Sequence, residues 1–176
     1  NEEEEIKIEI FTRSNSEYIP TTRGFGGSAG DSIERTPYFL IFEGGDNNAE
    51  LVEVSQALLI SGINKSYVPL KRRPSGTYQI LILANNLSHF YYGSNRNEFT
   101  LDGLRNSLLG EKLSDVCANM LSDKLQENVH TEPPYVDGYW KSLIPMSLLM
   151  PPVTGITENT KIGEAGNPLL LIRGVA

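Results

Sequence analysis

The sequence predicts a mainly β chain: a β-sandwich of about seven strands with a helical insertion near residues 100–127. Three observations carry this. Short apolar runs, either alternating with period two or continuous, recur along the chain between glycine, proline and asparagine turn signals. The period changes once, in the middle, to that of an amphipathic helix. A length of 176 residues with 39% hydrophobic content fits one core and needs no second one.

The elements follow in order. Asn1 to Glu5 reads as an acidic leader, and Ile6-Lys7-Ile8-Glu9-Ile10 alternates as a half-buried strand reaching Phe11. Residues 14–31 are polar and glycine-rich, too poor in apolar side chains to pack, and read as a long flexible loop. Tyr38 to Phe42 is a continuous apolar strand, stopped by Gly44-Gly45-Asp46-Asn47-Asn48 as a hairpin turn. Leu51 to Ile60 reads as one strand with Glu53 and Gln56 outward, and Ser61 to Asn64 turns the chain. Tyr67 to Leu70 follows, its Pro69 suited to an edge or a bulge. Lys71-Arg72-Arg73, before Pro74-Ser75-Gly76, reads as a hairpin tip, and Tyr78 to Ala84 as the most buried strand.

Thr100 is placed to cap a short helix through Leu101, Leu104 and Leu108, ended by Gly110. Leu113, Val116, Cys117, Met120 and Leu121 then fall on one face of a second helix. Glu132 to Gly138 is a proline-bearing loop. Leu143 to Met150 is a strand closed by Pro151-Pro152, and Leu169 to Val175 is the last strand.

Composition narrows function more than any motif does. A net charge of −7 argues against a nucleic-acid groove, which needs a clustered basic face. No window approaches the roughly 18 apolar residues of a membrane span. The single cysteine, Cys117, sits among apolar positions and reads as a small buried residue, with no disulfide and no cysteine metal cluster open to it. His89 and His130 lack a ligand partner at helical spacing, and no Gly-x-Ser-x-Gly elbow is present. Gly24 to Gly30 has no strand–helix context for phosphate, and Asp46-Asn47-Asn48 has too few carboxylates for a calcium loop. No enzyme activity, cofactor or metal is therefore expected. Tyr91, Tyr92, Tyr139 and Trp140 form an aromatic set that either packs the sandwich rim or stacks on a sugar.

Several short segments, taken in order, resemble one family. They are Thr21-Thr22-Arg23-Gly24, Gln79 to Asn86, Phe99 to Leu104, Ile144-Pro145-Met146-Ser147 and Leu169 to Ala176. Their order and spacing are similar to the N-terminal domain of Bacteroidales-type fimbrillins, the secreted lipoprotein subunits of surface fimbriae. The resemblance implies a transthyretin-like Greek-key sandwich over residues 1–176 and a second domain after Ala176. It also implies an exported precursor with a lipidated cysteine and a place at the cell surface, in a fimbrium or on the outer membrane. Asp31-Ser32-Ile33 is similar to the tripeptide at which secreted proteins of that group are O-glycosylated.

The resemblance also implies a mechanism. In that family an arginine-specific protease cuts the loop after the first strand, the strand leaves, and a strand of the next subunit fills the gap. Arg23-Gly24 matches the position of the cut, although Arg13 is within reach too. Ile6, Ile8 and Ile10 would be the displaceable strand. The expected role is thus a stalk, tip or anchor subunit whose partners are other fimbrial subunits and the protease. The alternative is a surface-lipoprotein adhesin domain that binds a host glycan or protein through its tyrosines and Trp140.

Overall fold

The structure, a computed structural model, describes residues 4–14, 37–56, 58–60, 65–72, 75–84, 87, 90–93, 99–122, 146–157, 159–163 and 169–173. Among them seven strands hold four residues or more: β1 (Glu4–Ser14), β2 (Tyr38–Glu43), β3 (Glu50–Gln56), β5 (Lys65–Arg72), β6 (Thr77–Ala84), β9 (Met146–Leu149) and β12 (Leu169–Arg173). These are the seven expected. Five strands of two or three residues, too short to show a period in sequence, lie between them: β4 (Leu58–Ile60), β7 (Phe90–Tyr92), β8 (Met120–Ser122), β10 (Val153–Thr154) and β11 (Lys161–Ile162). The helical insertion holds α1 (Leu101–Leu108) and α2 (Leu113–Asn119).

The strands form a β-sandwich. The front sheet runs β3-β2-β6-β9-β12, with β10 also beside β6; the back runs β1-β5-β4, with β11 along β1. β12 and β1 pair in parallel and join the two sheets at one side. Inside lies a core of Ile8, Ile10, Phe39, Ile41, Val68, Leu70, Tyr78, Ile80 and Ile82. The front sheet has a second apolar face, where Leu40, Phe42, Leu51, Leu81 and Leu83 meet Leu104 and Leu108 of α1 and Leu113 and Val116 of α2. Burial on both faces explains why β2 and β6 read as continuous apolar runs, since neither face of these strands meets water.

Five sequence expectations need correction. Leu51 to Ile60 is two strands, because the chain leaves the front sheet after Gln56 and pairs Leu58–Ile60 with β5 in the back. Lys71-Arg72-Arg73 is no hairpin tip. Lys71 and Arg72 lie within β5, and the next strand, β6, belongs to the other sheet. The acidic leader is shorter than expected, since Glu4 and Glu5 extend β1 opposite Arg72 and Lys71. The second helix stops at Asn119, and Met120 and Leu121 pass into β8, which pairs with β7. Nor is the strand of Pro69 an edge, since β5 lies between β1 and β4; among the described residues β4 stops opposite Tyr67, short of Pro69, whose carbonyl accepts from Ser55 Oγ at 2.9 Å and ties the two sheets at that corner.

Candidate functional site

β1 is the strand that the sequence singles out, and its surroundings define the candidate site. From Glu4 to Phe11 it pairs antiparallel with β5; from Thr12 to Ser14 it pairs in parallel with β12. On the side away from β5, β11 runs parallel beside Glu9 and Ile10. The strand thus lies between neighbours and bridges both sheets. Period-two spacing sends Ile6, Ile8, Ile10 and Thr12 to one face. Ile8 and Ile10 are fully buried in the sandwich core, and Ile6 packs against it partly buried.

The other face of β1 carries charge and one ring. Glu5 and Lys7 are exposed. Lys65 on β5 reaches the Glu9 carboxylate at 3.7 Å, and its ammonium stands 5.6 Å from the Phe11 ring centroid and 5.3 Å from that of Tyr67. The pair is half-buried but still meets solvent, and a surface ion pair contributes under about 1 kcal/mol, so the strand is held chiefly by its apolar face and backbone. Gly163, just past β11, crosses β1 at Phe11. A Cβ there would stand 2.9 Å from the Phe11 carbonyl oxygen, and its φ of +75° is one that glycine adopts freely. The edge of β1 away from β5 is therefore closed between β11 and β12 by close backbone approach.

Arg23 and Gly24 lie outside the described residues, as do Tyr139 and Trp140. Arg13, the other arginine in reach, is inside β1 at the register position of Leu170. Tyr91 and Tyr92 are in β7. Tyr91 is buried, and Tyr92 is half-buried against the helix-side core with its hydroxyl donating to the Asp115 carbonyl at 3.3 Å. Burial, helped by the nearby Glu111 and Asp115 carboxylates, pushes the Tyr92 hydroxyl above its ordinary pKa. The hairpin reading of Asp46 is met: its carboxylate accepts from Asn48 N at 2.8 Å, and Gln79 Nε2 donates to the carbonyls of Gly44 and Asp46. Among the described residues no three side chains of His, Cys, Asp and Glu gather as a metal set, and no helix is long and apolar enough to cross a membrane.

Three residues of the slot escaped the sequence reading. Thr12 continues the spacing of Ile6, Ile8 and Ile10, so extending the alternation by one step finds it. Ser66, buried on β5 opposite Ile10, and Gly163 carry no such signal, because each is defined by what lies across from it.

No protein-family model matches the chain, and no curated protein matches it. Among solved structures, the tip fimbrial protein Mfa3 from Porphyromonas gingivalis with C-terminal truncation is similar at 14% identity and a TM-score of 0.42. The similarity covers 95% of this chain, which spans 44% of the length of that structure.

Proposed function

We propose that this chain is a domain of a cell-surface fimbrial subunit, a structural protein that assembles when its first strand is replaced by a strand from another subunit. The observation that carries the reading is the position of β1. It supplies Ile8 and Ile10 to the core, lies between β5 on one side and β11 and β12 on the other, and precedes the connection that carries Arg23 in sequence. Taking such a strand away leaves an apolar groove lined by unpaired backbone donors and acceptors, which a strand of another chain can complete. The sequence order of the fimbrillin-like segments, with Arg23-Gly24 following β1, supports a proteolytic trigger in that connection. Arg13 fits a trigger less well, since it is engaged in the ladder with β12. On this reading the partners are other fimbrial subunits and an arginine-specific protease, and the transthyretin-like topology and lipid-anchored export belong to the same proposal.

The test is direct. The full chain is cut by an arginine-specific protease, incubated with a synthetic strand peptide of alternating apolar residues, and weighed by native mass spectrometry. Loss of the N-terminal fragment with gain of one peptide is expected. A cut chain that keeps its own fragment against a large excess of peptide removes the strand-exchange mechanism.

A further inference from the structure

Two hydroxyls interrupt the apolar inner face at one end of β1. Thr12 and Ser66 are both fully buried, and neither side-chain oxygen has a hydrogen-bond partner among the described residues. The register brings them together. Ser66 stands opposite Ile10, and Thr12 is two residues further along the same face, which makes Thr12 and Ser66 diagonal neighbours across the ladder.

This is also where β1 changes partners. Among the described residues its pairing with β5 reaches Phe11, and parallel pairing with β12 begins at Thr12. Parallel pairing is slightly less stable per residue than antiparallel. A hydroxyl held unpaired in the interior costs free energy that it regains in water. The other end of the strand is different. There the antiparallel ladder is continuous from Glu4 to Phe11, and Ile8 and Ile10 are fully buried. The strand therefore has a firm start and a weak end, and the weak end is the one continuous with the connection that carries Arg23.

We propose that the Thr12–Ser66 hydroxyl pair is a release point from which β1 leaves its slot, Ser14 end first, and that it gives the slot a preference. A replacing strand with an aliphatic residue at the position of Thr12 is held more tightly than β1 itself. This rests on the strand-exchange reading above and adds which residue decides the exchange. Thr12→Val keeps the shape and removes one unpaired hydroxyl, and apolar replacement of a buried unpaired group is neutral to stabilising. Ser66→Ala relieves the same site from β5 without altering β1.

The experiment is amide hydrogen exchange on the intact chain, followed by peptide competition on the cut chain. In the wild type, amides at Thr12 to Ser14 are expected to exchange faster than those at Ile6 to Ile10. Thr12→Val should slow the fast group about tenfold, the change that relief of about 1.4 kcal/mol produces, and Ser66→Ala should act in the same direction. Two peptides of β1 sequence, one with threonine and one with valine at position 12, then compete for the cut chain, and valine should win by about tenfold. Uniform protection along β1, or two variants that leave it unchanged, overturns the proposal. Equal binding of the two peptides overturns the preference while leaving strand exchange intact. If neither peptide binds, the strand-exchange reading falls and the preference with it, whereas the release point still stands or falls by the gradient of amide exchange.

Discussion

Leu81 and Ile82 are neighbours in β6 that serve different cores: Leu81 packs under the helices, and Ile82 faces the inside of the sandwich. Both are essentially without exposure. Leu81→Ala removes side-chain volume from a site walled on both sides by packed layers, so little collapse can fill the space. A loss of about 2–5 kcal/mol is expected, read from the midpoint of urea unfolding; a change below about 0.5 kcal/mol contradicts the burial. Continuous apolar sequence made this residue legible as core, but not which core, since the face it shows depends on partners elsewhere in the chain. Cys117, expected to be buried, is half-buried against the helix-side core. Burial pushes its thiol pKa up, so the reactive thiolate is scarcer than in an unfolded chain at the same pH. Iodoacetamide should label Cys117 more slowly in the folded protein than in urea at matched pH, as followed by mass spectrometry. Equal rates would mean that the helix-side core opens freely at α2. The linkage has a definite sign. Because the folded value is the raised one, the thiol's contribution to stability is complete below the unfolded pKa and is lost as pH rises through the folded pKa.

At the scale of elements, the helical insertion does more than cover a face. β3 is the last strand of the front sheet, and its outward backbone groups are the kind that recruit other sheets. The insertion occupies them. Leu51 N donates to Glu111 O at 2.9 Å, Gly110 N donates to Leu51 O at 2.8 Å, and Arg105 places Nε and Nη2 on Val54 O at 3.1 and 3.0 Å. The hairpin between β2 and β3 returns the contact, its Ala49 and Asn47 carbonyls accepting from Leu113 N and Ser114 N in the first turn of α2, where no side chain caps. Arg105→Ala should free the Val54 carbonyl and raise concentration-dependent association, measured by analytical ultracentrifugation. A variant that stays monomeric at every concentration where the wild type does shows that the α1–α2 connection alone protects the edge. The start of α1 was legible: Thr100 Oγ1 accepts from Gly103 N at 3.0 Å, and Thr100→Ala should cost about 1 kcal/mol in the same unfolding assay. The end of α2 was not. Met120 and Leu121 keep the helical spacing in sequence, yet they pair with Tyr92 and Tyr91, and only Met120 is buried. Two residues at the end of a short helix are too few for periodicity to choose between another turn and a strand.

At the scale of the whole molecule, the sequence carried the seven long strands but not the sheet to which each belongs. Pro74-Ser75-Gly76 marks a turn, and a turn signal does not say whether the chain folds back on β5 or crosses to the front sheet beside β2, as it does. Gln56 to Leu58 crosses the other way with no turn signal at all. The alternation of β1 was plain, whereas its bridging of both sheets came only from the partners it finds in β5, β11 and β12. That bridging sets the last prediction. Ile8 and Ile10 are fully buried, and burial of each contributes about 1.5–3 kcal/mol, so removing β1 takes away about 3–6 kcal/mol before its backbone pairing is counted. A domain has only about 5–15 kcal/mol in all. A chain cut after Arg23 and stripped of its first segment in mild denaturant should then unfold at a markedly lower urea concentration. Because the groove is already open to solvent, it should also have a smaller dependence on urea, that dependence scaling with the surface newly exposed. Adding back the segment from Asn1 to Arg23 should restore the midpoint in proportion to its concentration, as a ligand that binds only the folded state does. A stripped chain with the midpoint and urea dependence of the whole one would mean that β1 fills no groove, and replacing it could then drive no assembly.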